Sequence, residues 1–144
     1  MSSIDYSCTG EIATLTLNNP GKLNAINLAM WQTLAKNMAE ISVDRNIRCV
    51  VLRGAGNEAF AAGGDLEEFV SGRSTLDQAL HYHDQVALAL RAIEDCPHPT
   101  VALIQGACIG GGLEIAGVCD FRICGESARF GAPINRLGFS MYPG

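Results

Sequence analysis

Two unbroken apolar runs, Cys49-Val50-Val51-Leu52 and Val101-Ala102-Leu103-Ile104, constrain this chain more than any other feature. Short runs without polar alternation suit central parallel strands covered on both faces. Parallel neighbours need a crossover, and the intervening sequence supplies one. Thr75 can cap a helix there, with Gln78 completing a capping box. Leu76, Leu80, Val86, Leu90 and Ile93 give that helix an apolar side. Upstream, Ile4–Cys8 reads as a strand and Gly10 as a turn. Ile12–Leu17 then alternates as a half-buried antiparallel strand should, and Asn18-Asn19-Pro20-Gly21 ends it. Asn27 can cap a helix whose Met30, Leu34, Met38 and Ile41 fall on one face. Pro97 and Pro99 bracket the turn into the second apolar run, and Phe121–Cys124 reads as one more short strand. Strands alternating with helices predict an α/β fold with a largely parallel sheet.

The chain has 144 residues, enough for one domain with a real core. A hydrophobic fraction of 48% with 17% charged residues excludes intrinsic disorder. It also implies that much of the surface is covered, by other subunits or by further sequence. A net charge of −5 without any Lys/Arg cluster argues against a nucleic-acid or anionic-membrane surface. No apolar stretch reaches membrane-spanning length, and Met1–Asp5 lacks the pattern of a signal peptide. The six cysteines form no Cys-x-x-Cys pair, and they read as reduced core residues of a cytoplasmic protein rather than disulfides or metal ligands.

Six of the sixteen glycines fall in two turns, each following a buried strand, where open α/β sheets place ligands. The first is Phe60-Ala61-Ala62-Gly63-Gly64-Asp65-Leu66; the second runs from Gly106 through Gly110-Gly111-Gly112 to Glu114. Neither fits a nucleotide-binding fingerprint. Glycines before a helix also serve tight turns and close packing, so either turn alone admits a purely structural reading. The second leads into a short apolar helix whose first amides, with its dipole, favour negative charge. Glu114 is the sole charge between Gly106 and Val118. In apolar surroundings it would titrate near neutral pH; as a plain first-turn acid it would only complement the dipole.

Four segments together carry a resemblance. They are Asn18, Pro20, Asn24 and Ala25; Phe60 through Leu66; Gly106 through Glu114 with Cys119-Asp120; and Phe130-Gly131-Ala132-Pro133. In this order and spacing they resemble the crotonase family, the enoyl-CoA hydratase/isomerase superfamily, along the whole chain. The resemblance implies a spiral of ββα units, here a single crotonase-like domain over residues 1–144, and homo-oligomers such as trimers or dimers of trimers. It implies an enzyme of fatty acid metabolism acting on acyl-CoA thioesters, most simply an enoyl-CoA hydratase. Isomerisation or decarboxylation, or a non-catalytic scaffold, are the alternatives. Gly64 and Gly111 would supply the two amides of an oxyanion hole, and Glu114 the proton-transfer group. Lys22, Leu23 and Ala25 would line the coenzyme A entrance, with Lys22 placed for a phosphate. Ala62, Gly64, Asp65 and Leu66 would meet the coenzyme, and Gly110, Gly111, Pro133 and Ile134 the thioester. Coenzyme A enters as part of the substrate, with no permanently bound cofactor and no metal.

Two departures stand out. The family's chains run to nearly twice this length, so the C-terminal part of the domain is expected to be missing after Pro143-Gly144. Hydratases of the family also place a second glutamate directly after the motif proline, where this chain has Ile134 and then Asn135, which cannot return a proton. Tyr142 is near enough in sequence to be a candidate donor. His81 and His83, two apart on a helix, point away from each other and read as surface residues. His98 reads as structural, Asp65 as a helix cap, Asp120 as a structural hydrogen-bonding group, and Trp31 as core.

Overall fold

The computed structural model describes residues 1–68 and 74–134. The chain starts with β1 (Ser3–Thr9), β2 (Ile12–Asn18) and α1 (Leu28–Val43). Three strand pairs come next: β3 (Cys49–Gly54) with β4 (Ala59–Ala61), β5 (Thr100–Ile104) with β6 (Ala107–Ile109), and β7 (Phe121–Cys124) with β8 (Arg129–Gly131). Helix α2 (Leu76–Glu94) stands between the first two pairs and α3 (Gly111–Val118) between the last two. The first strand of each pair joins a five-stranded sheet of order β1-β2-β3-β5-β7; the second joins a three-stranded sheet, β4-β6-β8. Among the described residues only β1 and β2 pair antiparallel. This is the expected ββα repeat with mostly parallel strands. The small second sheet is new, because its strands read as turns in the sequence. Three-residue strands are too short to show a period.

One face of the large sheet makes the core. Leu15 pairs with Leu52 and Leu52 with Ala102 across three strands, and all three are fully buried. Trp31, Leu34, Met38 and Ile41 of α1 cover this face, and α1 packs against α2. Asn27 caps α1 by accepting from Met30 N, and the Thr75–Gln78 capping box starts α2, both as the sequence predicts. The expected burial on both faces is met on one alone. Val51, Val101 and Leu103 on the opposite face are only half-buried.

The apolar side of α2 also differs. Its buried residues are Tyr82, Ala89 and Ile93, with Val86 and Leu90 partly covered, while Leu76 and Leu80 are exposed. At ~100° per residue, Leu76 and Leu80 stand roughly 120–160° around the helix from Tyr82. The stripe that meets α1 is set by Tyr82, which accepts a 3.2 Å bond from Trp31 Nε1. His81 and His83 are exposed as expected, and His98 Nε2 bonds the Ile41 carbonyl at 3.1 Å.

All six cysteines are free, but not all are core residues. Cys108 and Cys119 are buried, and burial pushes their thiols up to about 11 and about 12. Cys8 and Cys124 are exposed, because β1 and β7 are the edge strands of the large sheet. Among the described residues no helix is long and apolar enough to cross a membrane.

Asp120 ties two strands together. Its Oδ2 accepts from Thr100 N at 2.8 Å and Thr100 Oγ1 at 2.9 Å, and its own amide donates to Thr100 Oγ1 at 2.9 Å. These bonds, the backbone one foremost, hold the Asp120 carboxyl below its ordinary range. A carboxyl depressed in the folded state stabilises above its unfolded pKa of about 3.9 and loses that contribution as pH falls through the folded value. Asp120→Asn is therefore expected to lower the urea midpoint at pH 7 and to flatten its fall below about pH 4. Parallel acid limbs for the two proteins would refute the assignment.

Candidate active site

The site begins with a turn. After β2, Lys22 N bonds Asn19 O at 3.2 Å and Ala25 N bonds Lys22 O at 2.9 Å. Leu23 and Asn24 adopt left-handed backbone, φ 48° and 57°. Asparagine tolerates that region; leucine does so at a cost. The Asn24 side chain offsets it. Its Nδ2 donates to Ala55 O at 3.0 Å and Ala59 O at 2.8 Å, and its Oδ1 accepts from Asn19 N at 3.2 Å. Asn19 Nδ2 donates to Ala25 O at 2.7 Å. The turn is thus fastened to the link between β3 and β4.

From there it holds the first glycine turn. Ala62 N bonds Leu23 O at 3.0 Å, Ile26 N bonds Gly63 O at 2.8 Å, and Asp65 N bonds Ile26 O at 2.9 Å. Ile26 and Gly64 form a parallel bridge. In such a bridge the flanking groups of Gly63 and Asp65 face Ile26, so the Gly64 amide points the other way.

The second glycine turn lies directly beside it. A Cβ placed on Gly63 would sit 3.5 Å from Ile109 O, and one on Gly110 3.6 Å from Gly63 Cα. Gly110, φ +49°, ends β6 and starts α3 without any side-chain cap, while its own amide bonds Gly131 O at 2.9 Å. That φ suits glycine. The first amides of α3, Gly111 among them, are therefore uncapped by side chains at the positive end of the helix dipole. Gly112 must be glycine for a different reason: a Cβ there would lie 2.5 Å from Ala61 O. Beneath Gly111 sits Trp31, whose Cζ2 would be 3.0 Å from an added Cβ. At the far end of α3, Arg122 Nη1 donates to Ala116 O at 2.8 Å and Cys119 O at 2.7 Å, closing the helix's last carbonyls.

The structure places the remaining expected residues unevenly. Asp65 is buried and caps the turn after it, accepting from Glu67 N at 3.2 Å. Ala25 is buried, Ala62 half-buried, and Leu23 and Leu66 exposed. Pro133 and Ile134 are half-buried; Asn135 and Tyr142 lie outside the described residues. Glu114 stands on the first turn of α3 as expected, its amide bonded to Gly110 O at 3.0 Å. It is exposed, however, and the apolar enclosure expected around it is not formed by the described residues. The apolar side chains of α3, such as Ile115, turn instead to the core. Lys22 is not open either: its ammonium bonds Asp65 and Glu67. Sequence reasoning misses the fastening role of Asn24, whose partners lie 31 and 35 positions away. It also misses Trp31 as a floor and Arg122 as a helix clamp.

Two glycine turns thus lie side by side on a parallel ββα scaffold, one held by the Ile26 bridge and the other opening α3. The chain belongs to the enoyl-CoA hydratase/isomerase family, whose model matches residues 8–143. It is 34% identical over 135 residues to the short-chain-enoyl-CoA hydratase of Clostridium acetobutylicum, covering 94% of this chain and 50% of that protein. It is 35% identical over 133 residues to the mitochondrial Delta(3,5)-Delta(2,4)-dienoyl-CoA isomerase of Mus musculus, covering 86% of this chain and 40% of the relative. The crystal structure of an enoyl-CoA hydratase/carnithine racemase from Magnetospirillum magneticum superposes with a TM-score of 0.93 at 46% identity, covering 99% of this chain and 55% of that one. The chain thus spans about half the length of the proteins it matches.

Asn24→Ala removes three hydrogen bonds from a buried turn. It is expected to cost about 2–4 kcal/mol, read as a drop in the urea midpoint at unchanged slope. A loss below about 0.5 kcal/mol would show that the turn holds itself.

Proposed function

We propose that the protein carrying this chain acts on acyl-CoA thioesters and stabilises a thioester enolate, most simply as an enoyl-CoA hydratase. One observation carries the reading: the Gly64 amide, turned away from the Ile26 bridge, lies on a turn that abuts the uncapped start of α3 at Gly111. A thioester oxygen seated between these amides gains charge as the enolate forms. Donors fixed in advance for that charge are worth several kcal/mol, about 2.7–4 for one such group. Glu114, one turn further along α3, is the group to move the proton at the α- or γ-carbon. Six unpaired cysteines suit a reducing, cytoplasmic compartment. The exposed Phe121, Ile123 and Phe130 suit a homo-oligomer, with a trimer as the simplest form.

A second reading rests on Ile134. Hydration activates water on one side and delivers a proton on the other, a task matched to two carboxylates. Ile134 puts an apolar, half-buried side chain where the family's hydratases have the second. An apolar wall holds water poorly. A single Glu114 that takes a proton from one carbon and returns it to another gives double-bond isomerisation, the reaction in the mouse relative's name.

The test is turnover of crotonyl-CoA and of a 3-enoyl-CoA by the intact protein, followed by absorbance of the conjugated thioester. Glu114→Gln is expected to lower kcat by about 10²–10⁴ while thioester binding persists. Near wild-type turnover would reduce Glu114 to a helix-terminal acid.

Ile134→Glu is expected to raise hydration of crotonyl-CoA. Two nearby carboxyls push one pKa up, which makes a donor beside a base. Robust native hydration, unchanged or reduced in this variant, would show that another residue already supplies the second proton-transfer group.

A further inference from the structure

The Gly64 amide is aimed from two directions. On one side the backbone of Ile26 bonds Gly63 O and Asp65 N. On the other a side chain reaches across 43 positions: Lys22 Nζ donates to Asp65 Oδ1 at 2.9 Å and Oδ2 at 2.7 Å. It also donates to Glu67 Oε2 at 2.8 Å. An ammonium has three donors, and these contacts use three. Asp65 Oδ1 in turn accepts from Glu67 N, so the carboxylate fixes the residues after Gly64 as well. The Asp65 side chain is 10% exposed and that of Lys22 35%, so the pair is shielded from bulk water on the aspartate side. The bonds to Asp65, and next those to Glu67, raise the Lys22 pKa, which keeps it cationic. A phosphate brought to Lys22 would have to displace one of these carboxylates. It would then lie beside the displaced negative charge.

We propose that Lys22 is a positioning residue, tethering Asp65 and so setting the Gly64 amide, rather than a ligand for a coenzyme phosphate. This deepens the thioester-enolate reading and rests on it. It replaces the role expected of Lys22 from the sequence. The Asn19–Ala25 turn and the first glycine turn are then held by backbone and ion pair together, and the charge on Lys22 is spent inside the protein.

The experiment compares Lys22→Met and Lys22→Arg in the intact protein. Each is assayed with a crotonyl-CoA substrate and with crotonyl-pantetheine, which keeps the thioester but carries no phosphate. Lys22→Met is expected to lower kcat by a similar factor for both, roughly 10- to 100-fold for a misaimed donor. Lys22→Arg, which can fork onto the same carboxylate, is expected to restore most of it. Amide hydrogen exchange on the unliganded protein gives a readout without substrate. The Asp65 amide, bonded to Ile26 O, should exchange about tenfold or more faster in the Met variant and near the wild-type rate in the Arg variant. A loss confined to the coenzyme A substrate, with Asp65 exchange unchanged, would make Lys22 a phosphate ligand and overturn the tether. Unchanged kinetics and exchange would make it a spectator and overturn it too. If the wild-type protein turns over neither thioester, the enolate reading fails, and Asp65 exchange alone decides the tether: faster exchange in the Met variant sustains it, and an unchanged rate removes it.

Discussion

The pair of backbone bonds that Ile26 makes to Gly63 and Asp65 is the constraint on which the site depends. It is a sheet-like contact of one residue, made outside either sheet. It turns the Gly64 amide away from Ile26 through main-chain bonds. Everything around it serves to keep Ile26 in place. Asn24 fastens the turn before it, Tyr82 OH approaches its carbonyl at 3.5 Å, and Ile26 itself is fully buried. A donor aimed by buried backbone needs no reorganisation when charge arrives, which is the property electrostatic catalysis rewards.

The ββα repeat explains why the second turn comes to the same spot. Each pair sends its first strand to the large sheet and its second to the small one. Neighbouring repeats stack in parallel register, Val50 beside Thr100 and Val101 beside Phe121. Corresponding turns therefore stack as well. The ends of β4 and β6 are neighbours because Ala61 pairs with Cys108. The two turns differ in how they are closed off. Asp65 ends one with a carboxylate cap, whereas Gly110 opens α3 with none.

Features encoded in adjacent residues were legible in the sequence. The cap at Asn27, the capping box at Thr75, the Met30–Ile41 face and the long strands depend on neighbours within one or two turns. The family resemblance also located both glycine turns. The features that could not be read depend on partners far along the chain. The three-residue strands of the small sheet exist only because they pair with one another. The buried stripe of α2 is chosen by Trp31, 51 positions from Tyr82. The ion pair of Lys22 could not be read because Asp65 is 43 positions away. Glu114 looked enclosed because its helix is apolar, but that apolar surface is spent on the core.

The contact between Gly112 and Ala61 has a consequence for how such a site can vary. The Gly112 backbone lies against the Ala61 carbonyl with no room for a methyl group. The gap between the two glycine turns is thus gauged by main chain against main chain, a distance that no rotamer change can widen. Side chains that touch neither Gly112 nor Ala61 do not enter that gauge. A lineage of such proteins can vary the side chains around the two turns while the spacing of their main chains stays constant.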